Sequence, residues 1–222
     1  MNRSTFSRIH RKFIFLILTS LIAQVAAVRP VAVKGAAADI TVTNTNDSGA
    51  GSLRQAVLDA SPGDTIGFAI TGTIILTSGE IEINKNLTID GPGSGVLTVD
   101  SNHNSSVFRT TSGNTVSISE LTIEDGTTGI YNYQSDLSVD QVVITDCGTN
   151  NSGAGIYTTG GSLTVTNSLI TNNSNTVGHG AGIFNWTGPV TVTGTNFIDN
   201  TAYGTGGAIG HREGTLEIDD CT

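Results

Sequence analysis

From about residue 127 onward the sequence repeats itself every 26 or 27 residues. Thr127-Thr128-Gly129-Ile130-Tyr131 is followed by Gly153-Ala154-Gly155-Ile156-Tyr157, then Gly180-Ala181-Gly182-Ile183-Phe184, then Gly206-Gly207-Ala208-Ile209-Gly210. Ile130, Ile156, Ile183 and Ile209 step by 26, 27 and 26 residues. A second column, Ile118, Val139, Val165, Val192 and Ile218, steps by 21, 26, 27 and 26. Two columns that share a period mean stacked copies of one unit, each covering the apolar face of the next. Within a unit, short runs alternate Val, Ile or Leu with Thr or Ser, which is the pattern of strands with one buried face. Gly, Asn, Asp and Ser separate the runs and supply turns, because Gly and Asn tolerate positive φ.

No helical periodicity appears after residue 62, which excludes helical repeats, and a propeller blade needs roughly 40 residues. A period near 26 suits one turn of a coil with three short faces, neighbouring turns stacking by parallel pairing at about 4.8 Å. The predicted fold is therefore all-β, a single-stranded right-handed parallel β-helix, the solenoid also found in pectin lyases. Six or seven coils are expected. In Leu163-Thr164-Val165-Thr166 and Val190-Thr191-Val192-Thr193 the apolar residues should point inward and the threonines outward. The variable pieces 172–177 and 200–205 are predicted to be loops on one edge.

The chain opens differently. Arg3, Arg8, Arg11 and Lys12 precede an apolar run from Phe13, and Ala36-Ala37-Ala38 fits a small-residue cleavage site. That order predicts a signal peptide over 1–38 and an exported, extracellular or cell-surface protein of bacterial type. Residues 39–68 then form a cap: a strand at Ile40–Thr43, a turn at 46–51, and a short amphipathic helix. Ser52 stands at its N-cap with Gln55 three residues on, and Leu53, Ala56, Val57 and Ala60 make the apolar stripe. A helix laid over the end of the stack would keep the first coil from pairing with another chain. Residues 69–222 make the coils. The last coil stops soon after it starts, so a longer parent protein is expected.

All 19 acidic residues lie at or after Asp39, where Arg54, Lys85, Arg109 and Arg212 are the only Lys or Arg residues; the net charge there is −15. Such a surface repels phosphate backbones, so nucleic acid is not an expected partner. It also disfavours polyanionic sugars without a bridging cation. Cys147 and Cys221 fall in different registers about three coils apart, too far for a disulfide, and read as small buried residues.

The stretch Ile40 to Phe68 resembles the CSLREA-type N-terminal segment of exported bacterial β-helix proteins. Gly51-Ser52-Leu53-Arg54-Gln55-Ala56 departs from that signature at its first and fifth positions. Gly206-Gly207-Ala208-Ile209 and Phe197-Ile198-Asp199-Asn200 resemble the GGAI and FxxN repeats of polymorphic outer-membrane proteins. The resemblance implies a right-handed coil, export and a cell-surface or extracellular role. A glycan or a cell-surface protein is the expected partner.

The same fold hosts pectate lyases and polygalacturonases, so catalysis has to be weighed. Gly178-His179-Gly180 copies a short polygalacturonase motif, and Asp219-Asp220 could serve as paired carboxylates. In that family, however, the acid pair precedes the histidine and an Arg-x-Lys follows. Here the pair comes last, and Gly178-His179-Gly180 is better read as a turn. His211-Arg212-Glu213 reads as a solvated loop tip. No catalytic residue, metal ligand or cofactor is assigned. Asp125, Asp146 and Asp199 end strands in corresponding turns and could at most align as a weak Ca²⁺ row; turn residues are the plainer reading. Tyr131, Tyr157 and Phe184 follow the isoleucine column and should share the opposite, outward face, a candidate glycan-stacking surface interrupted at Gly210. A surface or adhesin-like β-helix is the leading expectation. The alternative is part of a polysaccharide lyase or glycoside hydrolase whose site lies in further coils.

Overall fold

The structure is a computed structural model and describes residues 39–222. The signal peptide expected over 1–38 lies outside the described residues. Alternation of apolar and polar residues resolves into parallel strands wound into a β-helix. An eight-stranded long sheet takes one strand from every coil: Asp39–Val42, Asp64–Phe68, Leu87–Asp90, Thr115–Ser119, Asp136–Asp140, Leu163–Thr166, Val190–Thr193 and Leu216–Asp219. A second sheet holds Gly72–Ile75, Leu97–Asp100, Thr122–Glu124, Val143–Thr145, Leu169–Thr171 and Asn196–Ile198. A third holds Ile81–Ile83, Phe108–Thr110, Ile130–Tyr133, Ile156–Thr159, Ile183–Asn185 and Ile209–His211. The chain visits long, second and third sheets in turn.

Both repeat columns are ladders. Ile130, Ile156, Ile183 and Ile209 are successive partners in the third sheet. Ile118, Val139, Val165, Val192 and Ile218 are successive partners in the long sheet. Their side chains point inward and all but those of the last coil are buried. Thr164, Thr166, Thr191 and Thr193 face outward and are half-exposed, as the alternation requires.

The variable segments are more ordered than loops. Gly148–Thr149, Ser174–Asn175 and Thr201–Ala202 pair in parallel as a small fourth sheet. The prediction of loops at 172–177 and 200–205 is corrected: two residues per coil are too few for a periodic signal, yet stacked copies still share backbone hydrogen bonds.

The two internal corners of each coil explain the polar residues. Asp125, Asp146, Asn172 and Asp199 turn the chain out of the second sheet with φ of 53–54°. One residue on, Asn173 and Asn200 form an internal ladder. Asn173 accepts a hydrogen bond from the Cys147 amide at 3.1 Å and donates to Ile144 O at 3.0 Å and Asn200 Oδ1 at 2.9 Å. At the corner after the long sheet, Ser168 Oγ accepts from the Val142 amide and Thr195 Oγ1 from the Ser168 amide. Cys221 follows Thr195 in that column, its thiol donating to Asp219 O at 3.1 Å. The two cysteines are free and occupy different corners. Cys147 is buried, and desolvation pushes its thiol up to about 12. Cys221 is only half-buried, which corrects the expectation that both are core residues.

Helix α1 (Leu53–Asp59) starts where the capping residue predicts: Ser52 Oγ accepts from the Gln55 amide at 3.2 Å. The reciprocal half of the box is absent, because the Gln55 amide reaches Asp59 instead. Leu53, Ala56, Val57 and Ala60 join the core. Asp39–Val42 pairs with Asp64–Phe68, so the cap is continuous with the coils and no structural break falls at residue 68. Lys85 Nζ donates to the carbonyls of Val57, Leu58 and Ala60, capping the helix C-terminus where its charge suits the dipole. Arg54 clasps the loop beneath: its guanidinium bonds Asp47, Gly79 O and Glu80 O at 2.6–3.1 Å. Burial would raise the Asp47 carboxyl, but hydrogen bonds from Ser78, Arg54 and Thr77 and the Arg54 charge outweigh it and hold it at about 2 instead of 3.8. A carboxyl with a depressed folded-state pKa contributes stability above its unfolded value and loses it as pH falls through the folded one. Asp47→Asn should therefore cost about 1–2 kcal/mol in urea unfolding at pH 7, allowing for solvent screening. The difference from the parent should shrink between pH 4 and pH 2; a cost that stays constant with pH would remove the ion pair from the account.

Candidate functional site

The third sheet carries the features of chemical interest. Every second residue of its strands points out, so the inward isoleucines place their successors on the outer face. In register, the outward column reads Glu82, Arg109, Tyr131, Tyr157, Phe184, Gly210. Two residues on lies a second outward column with Tyr133 and Thr159 as partners. Trp186 and Arg212 continue it, one and two coils on. Between the columns the side chains turn inward as a polar ladder. Thr110 and Asn132 bond each other, and Asn132 Nδ2 donates to Thr158 Oγ1 at 3.0 Å.

Tyr131, Tyr157 and Phe184 form the expected stack. The tyrosine rings lie 5.0 Å apart and 11° from parallel; Phe184 follows at 5.8 Å and 33°. Burial, with Tyr131 as a smaller contributor, raises the Tyr157 phenol, which stays protonated and able to donate. The two tyrosines are half-exposed, but Phe184 is only 6% exposed. His179 and Trp186 pack around it, at 6.4 and 6.2 Å between centroids. The expected three-ring contact surface is thus corrected. Phe184 supports the others, and the exposed aromatic beside it is Trp186, at 42%.

Gly210 interrupts the column for a visible reason. A Cβ there would lie 2.9 Å from Phe184 Cδ2 and 2.8 Å from the Gly180 amide. Beside Gly210 lies a cleft of about 370 Å³ lined by His179, Phe184, Trp186, Gly210, His211 and Arg212. The Arg212 guanidinium lies over the Trp186 ring at 3.9 Å, and at the other end of the strip Arg109 lies over Tyr131 at 5.2 Å. The reading of 211–213 as a solvated tip is corrected for two residues. His211 belongs to a strand, with its Nδ1 2.9 Å from Asn185 Nδ2, and Arg212 packs on Trp186.

Period-two counting could have found Arg212, which stands two after Gly210 as Trp186 stands two after Phe184. His179 had no such signal. It arrives through the turn before the strand, where its Nδ1 accepts from the Thr205 amide at 2.9 Å. It lies on the third sheet's side, whereas Asp219 belongs to the long sheet, so the hydrolase-like pair is not assembled. Among the described residues no group of three or more His, Cys, Asp or Glu is placed to hold a metal ion. Asn172 separates Asp146 from Asp199 in their row, and Asp125 is paired with His103 at 3.3 Å. Glu124 sits beside that row. Burial raises its carboxyl, and Asp100, Asp125 and Asp146 add to the effect.

The family model for the right-handed β-helix region matches residues 105–222. Nothing among curated proteins matches the chain. A solved structure, the ORF18 protein of Geobacillus virus E2, is similar at 18% identity with a TM-score of 0.50. The alignment covers 82% of this chain and 42% of that one, and at this identity the likeness is one of fold. With more than half of its length matched and its strands wound as parallel coils, the chain belongs to the right-handed β-helix family.

Proposed function

We propose that this chain is a non-catalytic, exported β-helix that binds carbohydrate along the outer face of its third sheet. The observation that carries the reading is the in-register run Arg109, Tyr131, Tyr157, Phe184, with Trp186 beside it. Aromatic rings present apolar faces to the C–H faces of sugars, and phenol and guanidinium groups supply hydrogen bonds. A rigid sheet holds them without an ordering cost on binding. The CSLREA-like opening and the signal-like N-terminus fit an extracellular or cell-surface setting, where glycans are abundant partners.

The test is a glycan panel followed by calorimetry. Tyr131→Ala with Tyr157→Ala should weaken binding of the best neutral oligosaccharide by about tenfold or more, at roughly 0.5–1.5 kcal/mol per aromatic contact. Affinity unchanged in the double variant would remove the strip from the reading. Release of new reducing ends or unsaturated products from a polysaccharide by the native protein would instead favour the lyase or hydrolase alternative.

A further inference from the structure

We infer that the cleft beside Gly210 selects a sugar carrying a carboxylate, which gives the carbohydrate reading, on which it rests, a chemical class. The argument starts from cations. Of the four Lys and Arg residues in 39–222, Arg54 is committed to Asp47 and two carbonyls, and Lys85 to the end of helix α1. The other two, Arg109 and Arg212, both lie on the outer face of the third sheet, each over an aromatic ring. A chain with net charge −15 over these residues thus places both of its remaining arginines on the aromatic face.

The two differ in availability. Arg109 has Glu80 at 3.5 Å. Among the described residues Arg212 makes no side-chain hydrogen bond, and the one carboxylate within reach, Glu213, is 3.9 Å away and itself exposed. Its planar fork of N–H donors is open, and that fork matches a carboxylate in a way a lone ammonium does not.

His179 supplies a second open donor. Its Nδ1 accepts from the Thr205 amide, so in the neutral ring the proton is on Nε2, which has no partner among the described residues. His211, by contrast, has a neighbour at each nitrogen: Nδ1 lies 2.9 Å from Asn185 Nδ2 and Nε2 lies 3.2 Å from Gly214 O. It serves as wall. The unpartnered groups of the cleft are therefore donors, Arg212 and His179, set around the Trp186 and Phe184 rings in about 370 Å³. That volume falls at the lower end of the roughly 300–1,000 Å³ typical of small-ligand sites. Open donors beside apolar rings fit a pyranose with an anionic substituent: the ring meets Trp186 and the carboxylate meets the guanidinium. Uronic and nonulosonic acids share this chemistry.

Trp186 is the single tryptophan, so its fluorescence reports on the cleft directly. Four probes suffice: a lactose extended by a terminal glucuronic acid, the methyl ester of that trisaccharide, sialyllactose, and the trisaccharide ending in glucose. At least one acid should bind about tenfold or more tighter than the ester and the glucose compound, with the preference falling as salt rises. Which acid prevails identifies the source of the carboxylate. Arg212→Gln, an exposed change, should abolish the preference, bringing the acid down to the level of the ester. His179→Gln should reduce the preference less. Equal binding of acid and ester overturns the carboxylate assignment while leaving carbohydrate binding in place. Absence of binding by all four, in fluorescence and calorimetry alike, overturns both.

Discussion

Gly155→Ala, the addition of one methyl group, is expected to cost at least about 3 kcal/mol and to leave little folded protein at 37 °C. A Cβ on Gly155 would stand 2.4 Å from the carbonyl oxygen of Gly182 in the next coil. That oxygen accepts the Ile156 amide at 2.8 Å, so it cannot move away without breaking the ladder. The same contact recurs along the column: Gly129 against Gly155 O at 2.6 Å and Gly182 against Ala208 O at 2.5 Å. The clash would push two coils apart, and a solenoid depends on each nearest-neighbour interface. Ala154, immediately before it, is buried without conflict. Ala208, which takes the place of Gly155 in the last coil, is exposed, so Ala208→Gly should change stability by less than about 0.5 kcal/mol. Urea unfolding followed by circular dichroism compares the two. A Gly155→Ala protein within 1 kcal/mol of the parent would mean that the coils do not approach this closely.

Asn173→Ala should cost about 2–4 kcal/mol, more than its size suggests. The side chain is fully buried and satisfies the Cys147 amide and the Ile144 carbonyl, neither of which has water to turn to. Truncation leaves the Cys147 amide unpaired in the interior and strips the Ile144 carbonyl of a second donor, and an orphaned polar group there costs far more than a lost surface hydrogen bond. Asn200→Ala removes an equivalent side chain from a half-buried position, where water can replace it, and should cost less than half as much. Hydrogen exchange gives a second readout. The Cys147 amide should lose protection in Asn173→Ala and keep it in Asn200→Ala. Equal losses in the two variants would show that burial of the ladder is not what sets its worth.

The candidate site was legible in part because strand geometry converts spacing into direction. Once Ile130, Ile156 and Ile183 are known to face in, Tyr131, Tyr157 and Phe184 must face out, and they do. The spacing could not say that Phe184 lies down over Gly210, because that depends on what the next coil leaves open. Nor could it say that Arg212 lies on Trp186, a contact between side chains 26 residues apart. His179 came from a turn, whose residues have no fixed period.

Three things follow from the sequence by itself. The 26-residue period demands a stacked parallel coil, the apolar alternation fixes the buried side of the long and third sheets, and Ser52 marks the start of the helix. These rest on local geometry, and a short window of residues contains all of it. Tertiary structure alone decided the rest. It placed Asn173 and Ser168 in different corner ladders, turned the variable segments into a fourth sheet, committed Arg54 and Lys85 to the cap, and left Arg212 open in a cleft. Each of those outcomes depends on the coil above or below, and the atoms that settle it belong to residues one full turn away.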